Sequence, residues 1–193
     1  MRTIYFFIPL ILISDISLSQ SYIKKKFPGT SVDLQFAGSV GLFSAGLSKI
    51  SAREKVEVGF SLGHLPRNFG GSVQTVNLKF SYNPLNYSLS KRLAVQPIQV
   101  GVFLSQSFGE KLSLGWSSKY PKGYYWWNPS LRYHLFFSTR FTYSLNKSMI
   151  KKITCYFEAN TNDLYLYSYV PNTKTIKIYD IFFLGIGTKF TIQ

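Results

Sequence analysis

The chain carries one cysteine, Cys155, in 193 residues, which excludes an internal disulfide framework. It has two histidines, His64 and His134, and no cysteine cluster. That is too little for a transition-metal site, so neither metal nor cofactor is expected. Acids are scarce, eight Asp and Glu against 22 Lys and Arg, for a net charge of +14. No GxGxxG, P-loop, HExxH, CxxC or GxSxG pattern occurs, which removes the standard nucleotide, zinc-protease, redox and hydrolase signatures. Long apolar runs are lacking too. Beyond residue 20 the longest, Ile181 to Ile186, has the length of a strand and cannot cross a bilayer as a helix.

Aromatic residues are abundant instead, at 18%, while charged residues are 16%. The apolar residues alternate with polar ones. From Leu131 one face carries Leu131, Tyr133, Leu135, Phe137, Thr139, Phe141 and Tyr143, and the other Arg132, His134, Phe136, Ser138, Arg140 and Thr142. A strand sends successive side chains to opposite faces, so period two means one apolar wall and one polar wall. The pattern recurs in Val56–Leu62, Val73–Tyr82, Ala94–Phe108, Ile150–Ala159 and the closing Thr175–Ile192. Leu164–Val170 is expected to pair with the closing strand in a hairpin around Pro171-Asn172, and Pro97 to lie near a strand start or at a bulge. His64–Gly71 reads as a loop, and Cys155 as a small hydrophobe on an apolar face.

The first residues read as an export signal. Arg2 supplies the positive start, Ile4–Ile13 the apolar core, and Ser17-Leu18-Ser19 a small-x-small cleavage site before Gln20. This divides the chain into a signal peptide at 1–19, a loose lysine-bearing lead-in at 20–31, and one β domain at 32–193. In lipid only a helix or a closed barrel satisfies its own backbone. With no spanning helix, the fold class predicted is all-β: an antiparallel transmembrane β-barrel of eight strands.

The polar faces form a set of small residues with Glu57, Lys79, Arg132, His134, Arg140, Glu158 and Lys189. Small residues mixed with long charged ones suit a narrow lumen filled by side chains. An ordinary apolar core would leave so many charges unpaired. Glu158 is expected to pair with Arg132 or Arg140. The other lysines sit mostly in turns, as at Lys24-Lys25-Lys26 and Lys151-Lys152, and not along a helix, so nucleic acid is not the expected partner.

The signal, the alternating segments with short turns, the run Tyr124-Tyr125-Trp126-Trp127 and the amphipathic closing strand with Phe190 resemble a small Gram-negative outer-membrane β-barrel. The likeness is of architecture and covers about residues 32 to 193. It implies residence in the outer membrane, a monomer, and a structural or surface-interaction role through the loops around 64–72, 109–128 and 171–174. It also implies membrane lipid as partner, including lipopolysaccharide phosphates, and an interfacial girdle for the YYWW run. Two features depart from it. The chain ends Thr191-Ile192-Gln193 where such barrels usually place an aromatic, and seven strands are evident where an even number is the rule. The eighth comes either from dividing Val32–Ile50 or from separating Leu164–Val170 from Ile150–Ala159.

Two other functions are weighed. His134 and Ser138 on one face, with Glu158 on the next strand, resemble the His, Ser and Glu of outer-membrane lipid A deacylases, whose His and Ser lie two apart. Here the spacing of four, roughly 13 Å along a strand, prevents a Ser–His hydrogen bond. A non-catalytic role is therefore expected, with Ser138 a packing residue and His134 a lumenal hydrogen-bonding one. A soluble exported barrel binding an apolar ligand would require the reverse polarity, with Arg132 and Arg140 in water and Phe182 and Leu184 around a cavity.

Overall fold

The computed structural model describes residues 29–51, 54–69, 71–109, 130–145 and 149–192. The expected signal peptide, most of the lead-in and the YYWW run lie outside them.

Eight long strands close a single antiparallel barrel. They are β1 (Thr30–Ala37), β2 (Phe43–Ile50), β3 (Val56–Leu65), β4 (Val73–Tyr82), β5 (Leu93–Gly109), β6 (Leu131–Ser144), β7 (Ile150–Asn162) and β8 (Phe183–Ile192). Each pairs with its sequence neighbour, and β8 pairs with β1 to complete the ring. The two-residue strand Tyr87–Ser88 adds only a short extension against the start of β5. Closure leaves the eight long strands with no bare edge along their paired lengths.

The register fixes the barrel's dimensions. From Thr30 the cross-strand partners run Lys49, Val58, Phe80, Val102, Leu135 and Thr161. Carried one pair further through β8, the path meets β1 again at Val40, a shear of about ten residues. Eight strands about 4.7 Å apart with that shear tilt by about 41° and enclose a radius of about 8 Å. Side chains from opposite walls therefore meet at the axis.

Alternation then assigns the faces. On β6, His134, Ser138 and Arg140 are buried in the interior, while Tyr133, Leu135, Phe137, Phe141 and Tyr143 are exposed on the outside. The outer wall is continued by Leu34, Phe36, Leu47, Phe60, Leu78, Phe80, Val102, Phe157 and Leu184, the last 74% exposed. Cys155 lies on this outer face. From Tyr133 to Tyr143, at about 3.3 Å per residue and the tilt above, the apolar wall rises about 25 Å.

Val32–Ile50 is indeed two strands, split by a turn with positive φ at Ala37, Gly38 and Gly41. Pro97 lies in a bulge between Gln96 and Gln99, which turns both glutamines inward. His64 belongs to the end of β3 and not to a loop.

Leu164–Val170 is not a strand. Residues Asp163–Tyr169 form helix α1, whose N-cap Asn162 accepts a hydrogen bond from the Tyr165 backbone N–H at 3.0 Å. Asp163 in the first turn adds a favourable charge at the helix N-terminus. LYLYSYV is apolar or aromatic at almost every position, so it never carried a true period of two. The closing strand is correspondingly shorter than Thr175–Ile192, and a short 3-10 turn at Ile178–Ile181 precedes it. Asn162→Ala is expected to cost about 1 kcal/mol of local stability. Hydrogen exchange should quicken in α1 while the barrel's unfolding midpoint stays in place.

The strand order puts the ends of β1, β3, β5 and β7 and the connection 163–182 at one end of the barrel. The start of β1 and the ends of β2, β4, β6 and β8 share the other.

Candidate functional site

The interior is a polar column whose charges are paired across the lumen. Near its middle, Glu57 on β3 accepts a hydrogen bond from Arg140 Nη1 on β6 at 2.6 Å and another from Lys189 Nζ on β8. Lys189 also reaches Asp33 of β1 at 3.1 Å. Tyr156 of β7 donates its hydroxyl proton to the same Asp33 at 2.7 Å. A second group centres on Glu158 of β7, which accepts from Lys79 Nζ at 2.8 and 3.0 Å. Gln35 Nε2 adds a further bond to Glu158 at 3.2 Å. Towards the long-loop end, Arg132 meets Asp163 at 3.4 Å.

The expected partner of Glu158 is thereby corrected: it is Lys79, and not Arg132 or Arg140. Glu158 lies directly opposite Ser138 in the β6–β7 register, while Lys79 reaches it from β4, across the lumen. Pairing through the axis follows from the small radius, and reasoning from neighbouring strands cannot find it.

All seven polar residues singled out from the sequence sit on inward faces. Lys79 and Arg132 keep partial access, with side chains 14% and 24% exposed. Alternation also sets Gln99 and Tyr156 on the polar faces of their strands, where both are buried, whereas Asp33, Gln35 and Asp163 were not singled out. Asp33 and Gln35 had a signal, since they alternate with Val32, Leu34 and Phe36. Asp163 had none, being placed by a helix that was not expected.

No hydrogen bond joins any two of His134, Ser138 and Glu158 among the described residues. Ser138 donates its hydroxyl to Gln99 Oε1 at 2.6 Å, and Glu158 is held by Lys79 and Gln35. His134 does not make the expected hydrogen bond through Nδ1, which is buried without a partner. Its ring stacks on Phe103 instead, with centroids 4.1 Å apart and planes within 6°.

Packing closes the column. Phe103 and Phe136 form a buried apolar layer with Val40, which the β1–β2 turn folds into the lumen. Thr75 donates its hydroxyl proton to Val40 O at 2.6 Å. Gly63 makes the room, because a Cβ there would come within 1.7 Å of Val40 O. Gly187 likewise leaves space for the Tyr156 ring opposite it. The cavity remaining around Glu57, Lys79, Arg140 and Glu158 is about 20 Å³, room for about one water.

The fold and its interior define a class: a closed eight-stranded antiparallel β-barrel, apolar outside and ionic within. No protein-family model matches the chain, and no curated protein matches it. No group of three or more metal-ligating side chains occurs among the described residues.

Proposed function

We propose that this chain is an outer-membrane β-barrel protein with a structural or surface-interaction role and no catalytic one. The observation that carries the reading is the inverted polarity of the wall. Large apolar side chains such as Phe60, Phe80, Phe137 and Leu184 stand 48, 50, 51 and 74% exposed, while Glu57 and Arg140 are 3 and 5% exposed. A soluble barrel around an apolar ligand needs the opposite arrangement. Lipid stabilises this one, since it solvates the outer wall while every strand satisfies its neighbours. The wall's height of about 25 Å matches the apolar band of such barrels. Longer connections on the end away from the start of β1 and the end of β8 also fit the usual division into outer loops and inner turns.

An interaction role is supported by the β7–β8 connection, where Leu164, Tyr167, Val170, Ile178 and Tyr179 are all more than half exposed. Exposed aromatic and aliphatic groups on a loop suit contact with another surface. Pore function is disfavoured by the filled column.

The test is to refold the chain without its first 19 residues in micelles or vesicles and compare boiled with unboiled samples on SDS gels. A compact band that shifts on boiling, with β-type circular dichroism only when lipid or detergent is present, supports the reading. A soluble β-rich monomer formed without either would refute it. In vesicles, Phe137→Arg at mid-height should destabilise the barrel by about 2 to 4 kcal/mol. In a barrel surrounded by water, the same change would be nearly silent.

A further inference from the structure

At the end of the barrel where β2, β4, β6 and β8 finish, the outer wall turns from apolar to basic. On β2 its exposed side chains run Phe43, Ala45, Leu47 and then Lys49. Lys55, Lys91 and Arg92 stand exposed just before β3 and β5, and Lys151 opens β7. Because they come from β2, β3, β5 and β7, these five cations form a belt and not a single cluster. Glu54 is the nearby acid, and Lys152 takes it in an ion pair. None of the five has an ion-pair partner among the described residues. At the opposite edge of the wall, the exposed side chains on β3, β4 and β6 are His64, Gln74 and Tyr133.

The β4–β5 connection, residues 83–92, crosses the basic edge as an ordered arm. Buried Asn83 anchors it, donating from its backbone N–H to Lys55 O at 2.7 Å and from Nδ2 to Glu54 O at 3.1 Å. Tyr87 and Ser88 then pair with Val95 and Ala94, and the Leu89 N–H donates to Leu93 O at 2.9 Å. The Ser144 N–H donates to Arg92 O at 2.8 Å, which ties the arm to β6. Yet the arm holds apolar side chains outward: Leu85, Tyr87 and Leu89, at every second position, are 40% exposed or more. Tyr82 and Tyr143, near the ends of β4 and β6, are exposed at the same end of the wall.

Water does not stabilise leucine and tyrosine that a hydrogen-bonded backbone keeps exposed. Tyrosine favours a membrane–water boundary, where its apolar ring and polar tip are both satisfied. Unpaired lysine and arginine at the same edge are drawn to an anionic lipid surface. Other occupants fit less well. Lysine is depleted from protein–protein interfaces, and a second copy of this end would bring charge of the same sign.

We propose that this end of the barrel docks in an anionic phospholipid leaflet. Leu85, Tyr87 and Leu89 enter the interface, while Lys49, Lys55, Lys91, Arg92 and Lys151 meet the headgroups. The inference rests on the membrane reading and deepens it, by assigning the lipid class and the end that meets it.

The test refolds the chain without its first 19 residues into vesicles of equal phosphatidylglycerol and phosphatidylcholine. Native mass spectrometry then reads the lipids that stay bound. Phosphatidylglycerol should be enriched about fivefold among them, falling towards equality at about 1 M salt, where screening is short-ranged. Changing Lys49→Gln, Lys91→Gln and Arg92→Gln together should bring the ratio to within about twofold of equality. Lys174→Gln with Lys177→Gln, exposed residues of the connection at the opposite end, should leave it unchanged. The salt dependence is read on the unaltered chain, so it decides the matter even if a variant does not refold. A spin label at Leu89→Cys, in a Cys155→Ser background, should be reached more readily by oxygen than by a water-soluble nickel chelate. The reverse order would place the arm in water and overturn the proposal. So would enrichment lost only in the Lys174 and Lys177 variant, or a dimer that retains no lipid. A heat-shiftable barrel that keeps both lipids equally refutes this inference and leaves the membrane reading standing. A soluble monomer formed without lipid refutes both.

Discussion

Glu57→Gln is expected to destabilise the folded barrel by about 3 to 5 kcal/mol. Glu57 is 3% exposed and takes hydrogen bonds from both Arg140 and Lys189. Glutamine keeps the shape and removes the charge, so Arg140 loses its ion-pair partner and Lys189 keeps only Asp33. The described interior otherwise balances: Asp33, Glu57, Glu158 and Asp163 face Lys79, Arg132, Arg140 and Lys189. Breaking one side of a buried pair is far costlier than removing both. Combining Glu57→Gln with Arg140→Gln should therefore cost less than the two changes summed, with a coupling of about 1 to 3 kcal/mol. The fraction of heat-shiftable band against urea, in vesicles, reads both quantities. A single substitution costing under about 1 kcal/mol would show that water screens the network more than its burial implies.

The second large effect is expected at Gly63. Even alanine there would set a Cβ 1.7 Å from Val40 O and 2.4 Å from Thr75 Oγ1. The partner is backbone, held by its own hydrogen bond, so it cannot swing aside. The β1–β2 turn must leave the lumen, exposing Val40 and uncovering the layer it shares with Phe103 and Phe136. Gly63→Ala should cost about 2 to 3 kcal/mol or more and open residues 37 to 42 to protease. Gly59, four residues earlier on the same inward face, is the control. Its nearest neighbour would be the Ser48 Cβ at 3.2 Å, so alanine there should cost less than about 1 kcal/mol. Equal effects at both sites would mean the turn is not seated in the lumen.

Most of the wall was legible in the sequence. Val73–Tyr82 is a strand with the bounds its alternation predicts, and the polar partners of Leu135, Phe137 and Phe141 point inward as their spacing requires. The two failures have different causes. Leu164–Val170 lacks polar alternation, so only its cap and its position after β7 made it a helix. The Glu158–Lys79 pair joins residues 79 apart in the chain, on strands that do not touch through their backbones.

Taken alone, then, the sequence determined most of the strands, their inner and outer faces and much of the ionic content of the interior. Period-two alternation is local and holds whichever strand lies alongside. Tertiary structure alone decided which charges meet and how the turn at Val40 fills the lumen. Those depend on the number of strands and the shear, which set a radius small enough for opposite walls to touch.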